Sequence, residues 1–267
     1  MSIEKGRVVV SRELIKKHLS RSRLLAKAYE LLMDDVEVRT LLKMSNIMAV
    51  KRLRYNDHGP VHAVIVAGTA LELFERLVSS GVKPTTIRDG VVSDPEHAKL
   101  VVMYGAMLHD IGNSVHRVSH ELYGAVMAYN ILNRVLPELI SNVEEAYAVR
   151  QEIMHAIYAT AGGVRCLSME AGVVKIADGL DMAEGRARIP YRLGKIDMHA
   201  VSALSIKRVE ISRGDERPIR VDVVMSSSAG LFQVEAVLLP KVATSGLADY
   251  LEIYINLNGE AHRVFPS

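Results

Sequence analysis

Leu100-Val101-Val102-Met103-Tyr104-Gly105-Ala106-Met107-Leu108-His109-Asp110-Ile111-Gly112 decides how this chain is read. An apolar run carries a His-Asp doublet straight into what the pattern marks as core. Burying an imidazole beside a carboxylate is costly unless something pairs with them. A divalent cation is the partner this chemistry suggests. His62, His120, His155 and Asp178 supply further nitrogen and oxygen donors, enough for one ion or two. The stripe Leu100, Val101, Tyr104, Met107, Leu108 and Ile111 has helical spacing. Ser93-Asp94-Pro95-Glu96 opens that helix with capping residues and a proline, and Gly112 ends it.

Working outward, the N-terminal side reads as helix over 12–33 and again over 36–52. Tyr55-Asn56-Asp57-His58-Gly59-Pro60 is a loop whose proline opens a helix carrying His62 in its first turn. On the C-terminal side, helices are expected from Ser119-His120-Glu121 through Leu132, over 142–160 with His155, and over 167–184. In the last of these Ala171, Val174, Asp178 and Asp181 share a face. After Pro190 the texture changes. Residues 206–211 and 219–223 alternate with period two about Arg213-Gly214-Asp215, a hairpin signature. A short helix follows near Leu231–Leu238, and 249–255 reads as a third strand. The expected fold is therefore mainly α, with a helical domain over 1–200 and a small α+β domain over 201–267 that serves oligomerisation or regulation.

Composition narrows the function classes. Of 267 residues 49% are hydrophobic and only 5% aromatic, with 12 Met and no Trp, the mixture of packed helices. With 33 basic and 31 acidic residues the net charge is +2, so nucleic acid is not expected as a partner. The basic face Lys16, Lys17, Arg21, Arg23 reads as solvated. A single cysteine, Cys166, excludes an internal disulfide framework and fits a reducing compartment. No run suits a membrane span or signal core, so a cytoplasmic location is expected.

The ordered elements resemble the HD superfamily of metal-dependent phosphohydrolases. His62-Ala63-Val64-Ile65-Val66-Ala67 is similar to the first histidine segment, Leu108-His109-Asp110-Ile111-Gly112 to the doublet, and Val174-Lys175-Ile176-Ala177-Asp178-Gly179-Leu180-Asp181 to the segment of the last aspartate. The resemblance implies a helical HD-domain bundle in which His62, His109, Asp110 and Asp178 hold one ion. His120-Glu121-Leu122-Tyr123-Gly124 and Glu152-Ile153-Met154-His155 resemble segments of binuclear members, which implies a second ion on His120 and His155 with Asp110 bridging. Asn113 stands where HD-GYP phosphodiesterases carry lysine, and the Gly-Tyr-Pro signature is absent, so cyclic-dinucleotide hydrolysis is not supported.

The implied activity is hydrolysis of a phosphomonoester or phosphodiester, with a nucleotide as the expected partner, by hydroxide generated on the ion; a bound metal lowers the pKa of water toward about 7. Mixed N/O ligation favours Mn, Fe, Co, Ni or Zn, with Mg admissible. Asp110 and His58 are the candidate catalytic residues, with His58 open to exchange roles with His62, and His116 with His120. Lys175, Arg186 and Arg188 are candidate substrate-binding residues, the arginines equally readable as solvated loop charges. Asp181 is read as a supporting acid. His18, His97, His199 and His262 read as ordinary hydrogen-bonded histidines. A homodimer paired through strand edges is expected. A regulatory protein that binds metal and nucleotide without turnover is the alternative.

Overall fold

Two apolar helices, Pro60–Ser79 and Pro95–Leu108, lie side by side at the centre of the molecule. From Ala98 to Leu108 only Lys99 escapes burial, and a helix apolar all round is stable only when it is surrounded. Met169–Leu180 and Val143–Tyr158 cover the doublet helix, Met169–Leu180 also packs on Pro60–Ser79, and His120–Val135 packs outside Val143–Tyr158. The computed structural model describes residues 6–183 and 198–266. Its architecture is a helical bundle with a C-terminal mixed α/β region, and one contiguous apolar core runs through both.

Capping explains most boundaries. Asp94, Asn142 and Ser168 each accept a backbone N–H from the first turn of their helices. The helix expected over 12–33 is instead two, Leu14–Leu19 and Arg23–Asp34. Ser22 breaks it by turning extended and capping Leu25 N–H at 3.1 Å. The stretch expected over 36–52 is α-helical over Val36–Asn46 and widens into a π-helical turn over Ile47–Arg52.

The predicted hairpin is present as β2 (Ile206–Ser212) and β3 (Ile219–Met225), antiparallel with Val209 opposite Val223. The third strand, β4 (Leu251–Leu257), runs parallel to β3 with Val221 opposite Ile253. Parallel neighbours need a long crossover, and the helical stretch from Ser228 to Tyr250 supplies it. Two strands were not expected. β5 (Glu260–Phe265) returns from β4 through Asn258-Gly259, both at positive φ as a two-residue hairpin turn requires. β1 (Val8–Val9) pairs with Ile211 and Glu210 of β2, so the sheet order β1-β2-β3-β4-β5 draws in the N-terminal segment. Among the described residues no helix is long and apolar enough to cross a membrane.

Candidate metal centre

Three elements converge at one end of the bundle. His62 sits in the first turn of Pro60–Ser79, behind the Gly59-Pro60 start; His109 and Asp110 follow the last turn of Pro95–Leu108; Asp178 stands in the last turn of Met169–Leu180. Their inward donors crowd together. His62 Nε2 lies 3.2 Å from His109 Nε2, 3.4 Å from Asp110 Oδ2 and 3.2 Å from Asp178 Oδ1. His109 Nε2 lies 3.4 Å from Asp110 Oδ2 and 3.7 Å from Asp178 Oδ1.

The other ring nitrogens show how the cluster is arranged to suit a cation. His109 Nδ1 donates to Ala106 O at 2.7 Å, and His62 Nδ1 donates to Asp181 Oδ2 at 2.6 Å. Each ring is thereby turned with its Nε2 facing inward. Two ring nitrogens and two carboxylate oxygens thus face one another, and Asp110 Oδ2 is buried without a hydrogen-bond partner. Bonds of about 2.0–2.2 Å to one transition ion would set neighbouring donors about 3.3–3.6 Å apart at tetrahedral angles. The residues present fit the ion.

Outside the centre each carboxylate is held by its second oxygen. Asp110 Oδ1 accepts from Asn113 Nδ2 at 2.8 Å, and Asp178 Oδ2 takes Lys241 Nζ at 2.7 Å. Burial pushes both acids upward, but it is outweighed. The histidines around Asp110, and Lys241 with His109 and His62 around Asp178, hold both well below the usual carboxylate range. Ser45 Oγ donates to Asp110 O at 3.0 Å and fixes the doublet's backbone.

Two glycines bring His120 to this centre. A methyl group on Gly112 would overlap His120 O and Gly124 N, so only glycine lets the turn after the doublet touch the start of the His120–Val135 helix. His120 Nε2 consequently lies 3.4 Å from Asp110 Oδ1. Burial would lower His120, but the Asp110 and Glu121 carboxylates reverse this and raise it to about 9.

The structure uses the remaining candidates differently. His155 is not brought to the centre: its Nε2 accepts the Leu167 N–H at 3.1 Å, and burial lowers its pKa. Lys175 does not reach the cavity. It is fully buried, and Nζ donates to Ala161 O at 2.8 Å and Val164 O at 2.6 Å. An ammonium so engaged stiffens the turn behind the cavity wall and has no donor to offer a substrate. His116 is exposed and accepts Val118 N–H within its own loop at 3.0 Å. Arg186 and Arg188 lie outside the described residues, as does the side chain of His199. His97 pairs with Glu145, His262 is exposed, and His18 lies buried between Glu72 and Glu75. That last trio also stands close enough to share an ion, but Lys17 and Arg76 already supply its countercharge.

A cavity of about 580 Å³ opens over the centre, with Asp110, His120 and Asp178 in its wall. His58 lines it as expected, its Nδ1 donating to Asn56 O at 2.6 Å. Sequence reasoning missed Arg117 and Glu121 on one side and Gln233, Val237 and Lys241 on the other. The last three are four residues apart on the crossover helices, where no motif or periodicity links them to the centre. Pro240 lacks an N–H and crowds the preceding turn, and the backbone widens into a π-helical turn over Val234–Leu238 just before it.

The comparisons with known proteins agree with this geometry. The chain is 45% identical over 232 residues to "Uncharacterized protein MJ1020" of Methanocaldococcus jannaschii, an alignment spanning 87% of this chain and 89% of that protein. No solved structure matches. The model of the HD domain family matches residues 61–183, a span that begins beside His62 and ends just past Asp181. Over residues 61–183 the chain belongs to the HD domain family.

Proposed function

We propose that the protein is a metal-dependent phosphohydrolase acting on a phosphorylated small molecule of nucleotide size. The observation that carries this reading is the convergence of four candidate ligand atoms, from His62, His109, Asp110 and Asp178, each ring nitrogen lying within 3.7 Å of the other and of both carboxylate oxygens. His62, His109, Asp110 and Asp178 would hold a divalent transition ion, which when bound supplies Lewis acidity and an activated water at neutral pH. The chain's own groups do the rest. Asp181 fixes the His62 tautomer and strengthens its donor nitrogen. Lys241 balances the outer oxygen of Asp178. His58, in the cavity wall, orients the substrate or its leaving group. A volume of about 580 Å³ suits a ligand of nucleotide size and leaves most polymers at the rim.

Elemental analysis of untreated protein, paired with a screen of nucleotides and phosphodiesters with Mn, Co, Ni and Mg, tests the reading. Bound transition metal and metal-dependent phosphate release are expected, both lost in Asp178→Asn. Metal without turnover across the screen would replace the enzyme by a metal- and nucleotide-binding regulator, and absence of metal would remove both. A cytosolic location and a homodimer belong to the same proposal. The open edge of β5 supports the dimer, although Glu260, His262 and Arg263 limit its apolar area; sedimentation velocity tests it.

A further inference from the structure

Beside the four-donor centre, the place where a second ion would share Asp110 is already filled. Asp110 Oδ1, the oxygen facing away from His62 and His109, accepts the Asn113 amide at 2.8 Å. His120 Nδ1 is committed to Arg117 O at 2.9 Å. Its Nε2 lies 3.4 Å from Asp110 Oδ1 and 3.0 Å from Arg117 NH1, so that nitrogen has partners within the protein. The same NH1 donates to Asn113 Oδ1 at 3.2 Å. His155, the other nitrogen a second ion would need, is turned to the Leu167 amide.

We infer that the centre binds a single ion and that Arg117 stands in place of the second cation, its guanidinium receiving the phosphoryl group of the substrate. This rests on the metal-dependent reading above and deepens it. Arg117 lines the cavity together with Asp110 and His120 and is only partly buried, so it is reachable by a ligand. A guanidinium keeps its charge at every working pH, and its planar fork matches two phosphoryl oxygens. One ion and one guanidinium, on adjoining sides of the cavity, together balance a phosphate dianion. Asn113 links the two halves: one end of its amide holds Asp110 and the other holds Arg117. That gives a physical role to the residue that departs from the lysine of the HD-GYP pattern.

The test uses the full chain loaded with Mn or Co and desalted, with two readouts. Elemental analysis is expected to give one ion per chain. Inorganic phosphate binding, followed by calorimetry, is expected to weaken tenfold or more in Arg117→Gln while the metal content stays at that of the parent. Arg117→Lys, which keeps the charge and loses the fork, should recover only part of the affinity. Two ions per chain, or phosphate affinity in Arg117→Gln within twofold of the parent, would overturn the inference while leaving metal-dependent hydrolysis standing. Failure to take up metal at all would overturn the underlying reading and this one with it.

Discussion

At the scale of single residues, the His109-Asp110 doublet was legible because a buried charge without a visible partner announces one. His62 and Asp178 were legible because helical spacing put each beside an apolar stripe. Lys175 and His155 are engaged elsewhere, and sequence hides this for a common reason: it shows a polar side chain near a site but not the backbone groups that bind it. Three carbonyls hold Lys175, and one amide N–H is donated to His155. Asp181 is the residue whose effect is most sharply testable. Asp181→Asn keeps the shape but offers His62 Nδ1 either an oxygen or an N–H, so the ring can adopt the wrong tautomer. Metal affinity should fall about 10–100-fold, with little change in the circular dichroism of the metal-free protein. An unchanged dissociation constant by competition with a chelating dye would show that His62 needs no such orientation.

Elements were predicted well where a period spanned several turns and poorly where a cap or a turn intervened. Pro60–Ser79 and Pro95–Leu108 appear where their prolines and stripes place them, whereas a single serine splits the expected 12–33 helix. β1 and β5 escaped notice because two residues carry no period and Glu260-Ala261-His262-Arg263 has no apolar alternation. The contact between the turn after the doublet and the His120–Val135 helix is the tightest constraint among these elements. Gly112→Ala must push the helix start away, which should cost about 1–3 kcal/mol and carry His120 from Asp110. Denaturant titration measures the first effect. Phosphate affinity of the metal-loaded variant reads the second, since Arg117 precedes His120 in the same displaced segment.

For the molecule as a whole, the division between a helical part and a C-terminal part was visible in the change from 3.6-residue to two-residue periodicity. The reach of the second part into the site was not, because Lys241 and Asp178 are far apart in sequence and only packing joins them. Lys241→Met should lower the melting temperature of the metal-free protein more than that of the metal-loaded one, since the ion takes over part of the charge balance for Asp178. Equal losses in both forms would leave Lys241 a packing residue.

A second long-range network, Lys17, His18, Glu72, Glu75 and Arg76, ties the first helix to the central one. Burial opposes ionisation of Glu72, but His18, Lys17 and Arg76 bring its pKa down to about 2. Burial likewise opposes the charge on His18, and Glu72 and Glu75 raise it above 6.5. The Glu72 contribution is therefore present above about pH 4.5 and is lost as pH falls toward 2, while that of His18 is present below 6.5 and is lost as pH rises through its raised value. Glu72→Gln should cost about 3 kcal/mol near pH 6, and the gap between variant and parent should narrow steadily on acidification. Urea midpoints at several pH values follow it.

The pairing of Val8 with Ile211 bears on how the chain is made. A ribosome that has delivered the helices has not yet delivered the strand on which the very first residues of the sheet must lie. During synthesis Val8 and Val9 wait for Ile211 and Glu210, which leave the ribosome much later, and loop closure over that distance slows the last step of assembly. Protection of the Val8 and Val9 amides from solvent exchange should accordingly arrive late in refolding, after the helices around the doublet have closed.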